Sequence, residues 1–176
     1  MEEGEDLSQL HSGLLIMIGS ALLAIQTTEK AIQLVTTFVL RSDAAITGEQ
    51  LIAQSEADQK RTMGYLLARI RDRVSIDPHF DRTLSEFTRR RNMLAHSLSD
   101  IPGWDTETLR GLQSGWRFIH ELLAMNNVVL GVFTGLIRAW ESQNGYDHGL
   151  AADLEFTKLV DEKYTPLVDS IFSAKT

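Results

Sequence analysis

Apolar residues recur at steps of three and four along almost the whole chain, and that spacing limits what it can fold into. Leu7, Leu10, Leu14, Leu15, Ile18, Leu22, Ile25, Ile32, Val35 and Val39 form one such stripe, the signature of an amphipathic helix. It predicts a long helix over residues 7–41, with Arg41 at the end where a cation suits the helix dipole. Between residues 14 and 25 the apolar positions run almost all the way round. A helix of that kind is central in its bundle or lies between two subunits. No segment sustains the alternation of a strand, and no repeat of 20–50 residues occurs. The expected fold is all-α: an antiparallel bundle of five or six helices.

The remaining boundaries follow from local signals. Thr47-Gly48-Glu49-Gln50 has capping-box form and opens a short helix interrupted near Ser55. A helix over 56–74 is expected to bury Met63, Leu66, Leu67 and Ile70. Asp77-Pro78 is a break, followed by a helix over 79–98 that Asp100-Ile101-Pro102-Gly103 closes. Asp105 or Thr106 caps a helix reaching Ser142, with a bend expected at Asn126-Asn127. Its core residues are read as Trp116, Ile119, Leu123, Leu130, Phe133, Ile137 and Trp140. Gly111 with Gly115, and Gly131 with Gly135, are read as points of close helix approach. Asn144-Gly145 is a turn, and a last helix over 147–172 is broken near Pro166.

The length of 176 residues and the 43% apolar content suit a single globular domain over 1–176, with a flexible acidic start at Met1–Asp6. There is no cysteine, so disulfides and thiolate zinc sites are excluded. The acidic amino terminus is unlike a secretory signal. The apolar run Leu14–Ile25 is shorter than the about 20 residues that span a bilayer. A soluble, cytoplasmic protein without membrane attachment is expected. The net charge of −7 opposes non-specific nucleic-acid binding by the whole surface. The charge is uneven, however. Residues 60–91 hold nine basic residues against four acidic ones, a net of +5, which leaves −12 for the rest. A polyanion would bind in that basic segment.

The segment ends in Arg89-Arg90-Arg91-Asn92-Met93-Leu94-Ala95-His96. At about 100° per residue, Phe80, Leu84, Phe87, Arg91 and Leu94 share the core face, and Arg82, Ser85, Arg89, Asn92 and His96 share the opposite one. A guanidinium keeps its charge when buried, so Arg91 needs a paired anion, a stem lying flat with its head in water, or a cleft or second subunit that wants a cation.

Arg91-Asn92-Met93-Leu94-Ala95-His96 resembles the R-x(4–6)-H signature of HEPN domains, including the polar residue directly after the arginine. Thr62-Met63-Gly64-Tyr65-Leu66-Leu67 and Phe87 add to the likeness, which covers residues 10–140 in pattern and 62–97 in letters. Arg89 and Arg90 also fit the spacing to His96, but only Arg91 precedes an asparagine. The resemblance implies a helical bundle that dimerises through the motif helices and cleaves RNA without metal or other cofactor, leaving a 2′,3′-cyclic phosphate. His96 would exchange protons with the 2′-oxygen or the leaving 5′-oxygen. Arg91 would stabilise phosphate charge, and Asn92 would orient the phosphate or His96. Arg89, Arg90 and Arg82 would bind RNA. Arg91 and His96 lie about 140° apart on one helix, so a site composed across a two-fold axis is expected. A toxin or defence role, with a cognate antitoxin or nucleotidyltransferase, would be in keeping with the family. The alternative is a non-catalytic HEPN-like interaction, scaffold or RNA-binding module in which Arg91 is an interface cation.

Other chemistries lack their residues. No phosphate-binding glycine loop occurs. His120-Glu121 begins like a zincin helix, but Ala124 stands where the second histidine belongs. None of the five histidines has a glutamate three places before it, as a di-iron bundle requires. No serine stands in a nucleophile elbow.

Overall fold

A computed structural model of the chain describes residues 2–40, 53, 56–57, 61–145 and 154–175, without the side chains of 2–6. The described residues are mostly helical. Helix α1 runs over Glu2–Leu34 and passes into a π-helical turn at Val35–Val39. The widened turn coincides with Thr36, whose Oγ1 donates to the Ile32 carbonyl at 2.8 Å. Such a bond competes with the regular ladder. The helix end expected at Arg41 and the capping box at Thr47 lie outside the described residues.

Helix α2 spans Met63–Arg73 and is followed at once by strand β1, Val74–Ile76. Glu56 and Ala57 are helical, as expected, but Thr62 is extended and its hydroxyl accepts from the Tyr65 N–H at 3.3 Å, an N-cap that starts α2 afresh at Met63. Met63, Leu66, Leu67 and Ile70 are buried as expected. Helix α3, Pro78–His96, carries the motif, and a 3₁₀ turn follows at Leu98–Asp100. Helix α4 is continuous over Leu109–Gln143. The chain then forms helix α5 at Leu154–Leu159, a π turn at Val160–Tyr164 and a 3₁₀ turn at Thr165–Leu167. Helix α6 at Val168–Ile171 and strand β2 at Phe172–Ala174 complete it. The expected break near Pro166 is present, as the 3₁₀ turn.

Strands were not expected. β1 and β2 pair antiparallel, Val74 with Ala174 and Ile76 with Phe172. Each is three residues long, too short for alternation to show in the sequence.

By its contacts the chain divides into two compact units, one of Met1–Thr27 with Thr83–Asn127, the other of Thr28–Arg82 with Val128–Thr176. In the first, Leu14, Ala21, Leu84, Phe87, Leu94, Leu112, Ile119 and Leu122 are buried. Gly115 lets Leu14 and Trp104 come close; a Cβ there would stand 2.9 Å from both side chains. In the second, Phe80, Phe133 and Phe172 form a triad with ring centroids 6.0–6.3 Å apart. Arg73 donates to the Thr36 carbonyl at 2.6 Å and the Leu40 carbonyl at 3.0 Å. It thus satisfies acceptors that the end of α1 leaves open.

The buried stripe of α4 is Leu112, Gly115, Ile119, Leu122, Asn126, Val129, Phe133 and Leu136, at steps of three and four throughout. Of the expected core, Ile119 and Phe133 lie on it; Trp116, Leu123, Leu130, Ile137 and Trp140 are half-buried beside it. The largest side chains reach the core edge from neighbouring positions, while Gly115 and Asn126 occupy places that bulk alone does not reveal. Asn126 is buried.

On α1 the division of apolar residues leaves Leu15 55%, Ile16 69% and Leu23 66% exposed. Two helical stretches, Leu7–Val39 and Leu109–Gln143, are long and apolar enough to cross a membrane by length and composition; 17% and 44% of their most apolar windows are buried. Core helices meet the same criterion.

Candidate functional site

The motif helix is held at its start by Asp77. Its Oδ1 accepts from the backbone N–H groups of His79 and Phe80 at 2.9 and 3.0 Å, an N-cap placed just before Pro78, which suits a first helical position. The Asp77 N–H donates to the Ile171 carbonyl at 2.8 Å, tying the helix start to the end of α6. Arg71 Nε donates to Asp81 Oδ1 at 2.7 Å, with the carboxylate in the first turn, where the helix dipole favours it. Helix α3 stops at His96, two residues short of Leu98, and the Ser97 N–H closes back on the Met93 carbonyl at 2.9 Å.

Phe80, Leu84, Phe87 and Leu94 are buried, as the helical phase predicts. Arg91, in phase with them, is only half-buried. Its Nη1 donates to Asn92 Oδ1 at 3.1 Å. A half-buried position with a guanidinium bonded to an exposed residue is what a long cationic side chain allows. Asn92 and His96 are exposed, one turn apart on one face. The bond to Asn92 thus draws the Arg91 head toward the face that His96 occupies, although the two Cα positions diverge.

Arg89 and Arg90 take different surroundings. Glu86 accepts from both: Arg89 Nε and Nη2 at 2.8 and 2.7 Å, Arg90 Nε at 2.7 Å. These bonds hold the Glu86 carboxyl down at about 2, from an ordinary 4.5, with the Arg89 contact first and Arg90 second. Arg90 Nη1 also reaches Glu121 Oε2 on α4 at 2.6 Å, and its guanidinium stands 5.5 Å from the centre of the Phe118 ring, within cation–π range. Burial works against the Arg90 charge, but the bonds to Glu86 and Glu121 outweigh it. Arg89 Nη1 also contacts Met93 Sδ at 3.0 Å.

Beside this network is a half-open cavity of 210 Å³ lined by Arg89, Arg90, Ile101, Pro102, Ser114, Arg117, Phe118 and Glu121. The structure therefore brings together Arg89 and Arg90 with Arg117, and Arg91 with Asn92. Among the cavity-lining residues the motif contributes Arg89 and Arg90, while Arg91 and His96 lie outside the lining. Arg82 is exposed, and the division between the two units falls directly after it. Arg117, Phe118 and Glu121 were not anticipated. A signal for them exists: Ser114, Arg117, Phe118 and Glu121 recur at i, i+3, i+4 and i+7, one helix face bearing a cation, an anion and an aromatic ring. Glu121, in the zincin-like dipeptide, is an arginine partner, and the described residues hold no group of three metal-ligating side chains.

Comparison with family models, curated proteins and solved structures finds no match to this chain.

Proposed function

We propose that this protein is a metal-independent endoribonuclease of the HEPN type, acting at a site composed across a homodimer. The observation that carries the reading is the arrangement of the motif. His96 and Asn92 are exposed on one face, and Arg91 leans toward them through Asn92. RNA brings its own nucleophile. An imidazole takes the proton of the 2′-hydroxyl, and the 2′-oxygen attacks the adjacent phosphorus. The P–O5′ bond breaks, and a second imidazole, from the other protomer, returns a proton to the 5′-oxygen. The products are a 2′,3′-cyclic phosphate and a free 5′-hydroxyl. Arg91 stabilises the charge that builds on the phosphoryl oxygens. The exposed Leu15, Ile16 and Leu23 of α1 offer an uncharged surface for the second copy. A cytoplasmic location is part of the same proposal.

The test is cleavage of single-stranded and structured RNA by the purified protein in EDTA. Cleavage should persist without metal and be lost in His96→Ala and Arg91→Ala. Growth arrest on expression, relieved by His96→Ala, would extend the reading to a toxin-like role.

The second reading is a non-catalytic interaction or RNA-binding module of the same fold. One observation favours it: Glu86 and Glu121 occupy much of the hydrogen-bonding capacity of Arg89 and Arg90, as a structural ion network would. Intact RNA after prolonged incubation with a confirmed dimer decides for the module.

A further inference from the structure

The cavity beside the motif helix contains donors that the ion network leaves over. Arg117 is exposed and, among the described residues, makes no hydrogen bond or ion pair. Arg90 commits Nε and Nη1; its Nη2 has no partner among the described residues. The Ser114 hydroxyl donates to the Arg110 carbonyl at 3.0 Å, so the guanidinium groups are the donors left to receive a ligand. Three guanidinium groups and one carboxylate line the space, and that carboxylate, Glu121, is already held by Arg90. Apart from Ser114, the rest of the lining is apolar: Ile101 and Phe118, both buried, and Pro102. A planar fork of N–H donors next to an aromatic wall suits a phosphate carrying a ring.

We infer that this cavity binds one nucleotide of a single-stranded RNA. Its phosphate lies on Arg117 and Arg90 Nη2, with Arg89 adding charge, and its base or sugar lies against Phe118, Ile101 and Pro102. Size sets the scale of the ligand. The 210 Å³ cavity is below the roughly 300–1,000 Å³ of pockets that enclose drug-sized ligands, so it takes a phosphate and part of one nucleoside. A paired base could not lie flat on the wall, whereas an unpaired one can. The choice of a nucleotide over another phosphorylated ring rests on the RNA reading above; the phosphate site does not.

The test uses the full-length protein and a fluorescent six-nucleotide 2′-O-methyl RNA, which has no 2′-hydroxyl and cannot be cleaved. Arg117→Ala should weaken binding about tenfold, the loss of a charge-assisted contact, and Arg117→Glu should weaken it further. The plot of log affinity against log salt should flatten by about 0.7 in Arg117→Ala, one phosphate contact on a single strand. A nucleoside 5′-monophosphate should compete at concentrations where the nucleoside and inorganic phosphate do not. Thermal unfolding checks that the variants fold, as an exposed position allows. Unchanged affinity and salt slope in Arg117→Glu would overturn the proposal, and so would inorganic phosphate competing as well as the monophosphate. The two readings separate cleanly. Cleavage of unmodified RNA with no effect of Arg117 removes this site and leaves the nuclease. Arg117-dependent binding without any cleavage does the reverse.

Discussion

Replacing Gly131 by alanine sets two known effects against each other at one atom. In a helix interior the change gains roughly 0.8–1 kcal/mol of propensity. At Gly131 a Cβ would run into the Tyr164 ring, with three of its carbons in the way. Tyr164 is 6% exposed, so the ring has little room to retreat. Overpacking of this kind costs roughly 1–3 kcal/mol. The clash should win, for a net loss of about 1 kcal/mol and a fall in Tm of roughly 2–4 °C for a chain of this size. Gly64 is the control within the same unit. It is exposed in α2 with nothing within 4 Å of its would-be Cβ, so Gly64→Ala should raise Tm by up to about 4 °C. Both are read by thermal and urea unfolding. Tyr164→Leu should restore part of the loss in the Gly131→Ala background, a coupling above about 0.5 kcal/mol. If Gly131→Ala stabilises the protein as Gly64→Ala does, the packing of Tyr164 on α4 is wrong.

Glu86 makes stability sensitive to acid. Its carboxyl is depressed from 4.5 to about 2, so its contribution is complete above pH 4.5 and fades as pH falls toward 2. The side chain is 35% exposed, so solvent screening holds the contribution near about 1 kcal/mol; Glu86→Gln should flatten that part of the acid-unfolding curve. Leu15→Glu with Leu23→Glu places charge on the exposed apolar face of α1; for the proposed homodimer, light scattering should show the mass falling to that of a monomer with helical content kept, and an unchanged dimer removes α1 from the interface. Lysis without detergent should leave the protein in the supernatant; recovery in the membrane pellet would assign one of the two apolar helices to a bilayer.

The three longest helices were legible because a helix advertises itself through a repeating pattern over many turns. The motif helix had every signal at once: Asp77-Pro78 at its start, and Phe80, Leu84, Phe87 and Leu94 in phase. What stayed hidden was set by contacts between residues far apart in sequence. The Val74–Ile76 strand forms against Phe172–Ala174, and nothing local requires it. The core face of α4 was misread because Gly115 and Asn126 hold stripe positions while Trp116 and Trp140 stand beside it. Arg91 was assigned by phase to the core side, yet a long stem lets its charged end leave that side, and phase places Cβ alone. Arg117 went unnoticed because its partners at the cavity, Arg89 and Arg90, lie on another helix.

The antiparallel ribbon has a consequence for how the protein is made. Its second strand, Phe172–Ala174, lies far downstream of the first, Val74–Ile76, and Lys175 reaches back to the Arg71 carbonyl at 3.0 Å. During synthesis the polypeptide emerges from its amino end at roughly 5–20 residues per second. All segments of the first unit are available once Asn127 is out. The second unit must wait until Phe172–Ala174 has emerged, because that segment supplies one strand of the ribbon and the third ring of the phenylalanine triad. Nascent chains arrested before Phe172 should therefore lose residues 61–76 to protease while α3 and the first half of α4 survive.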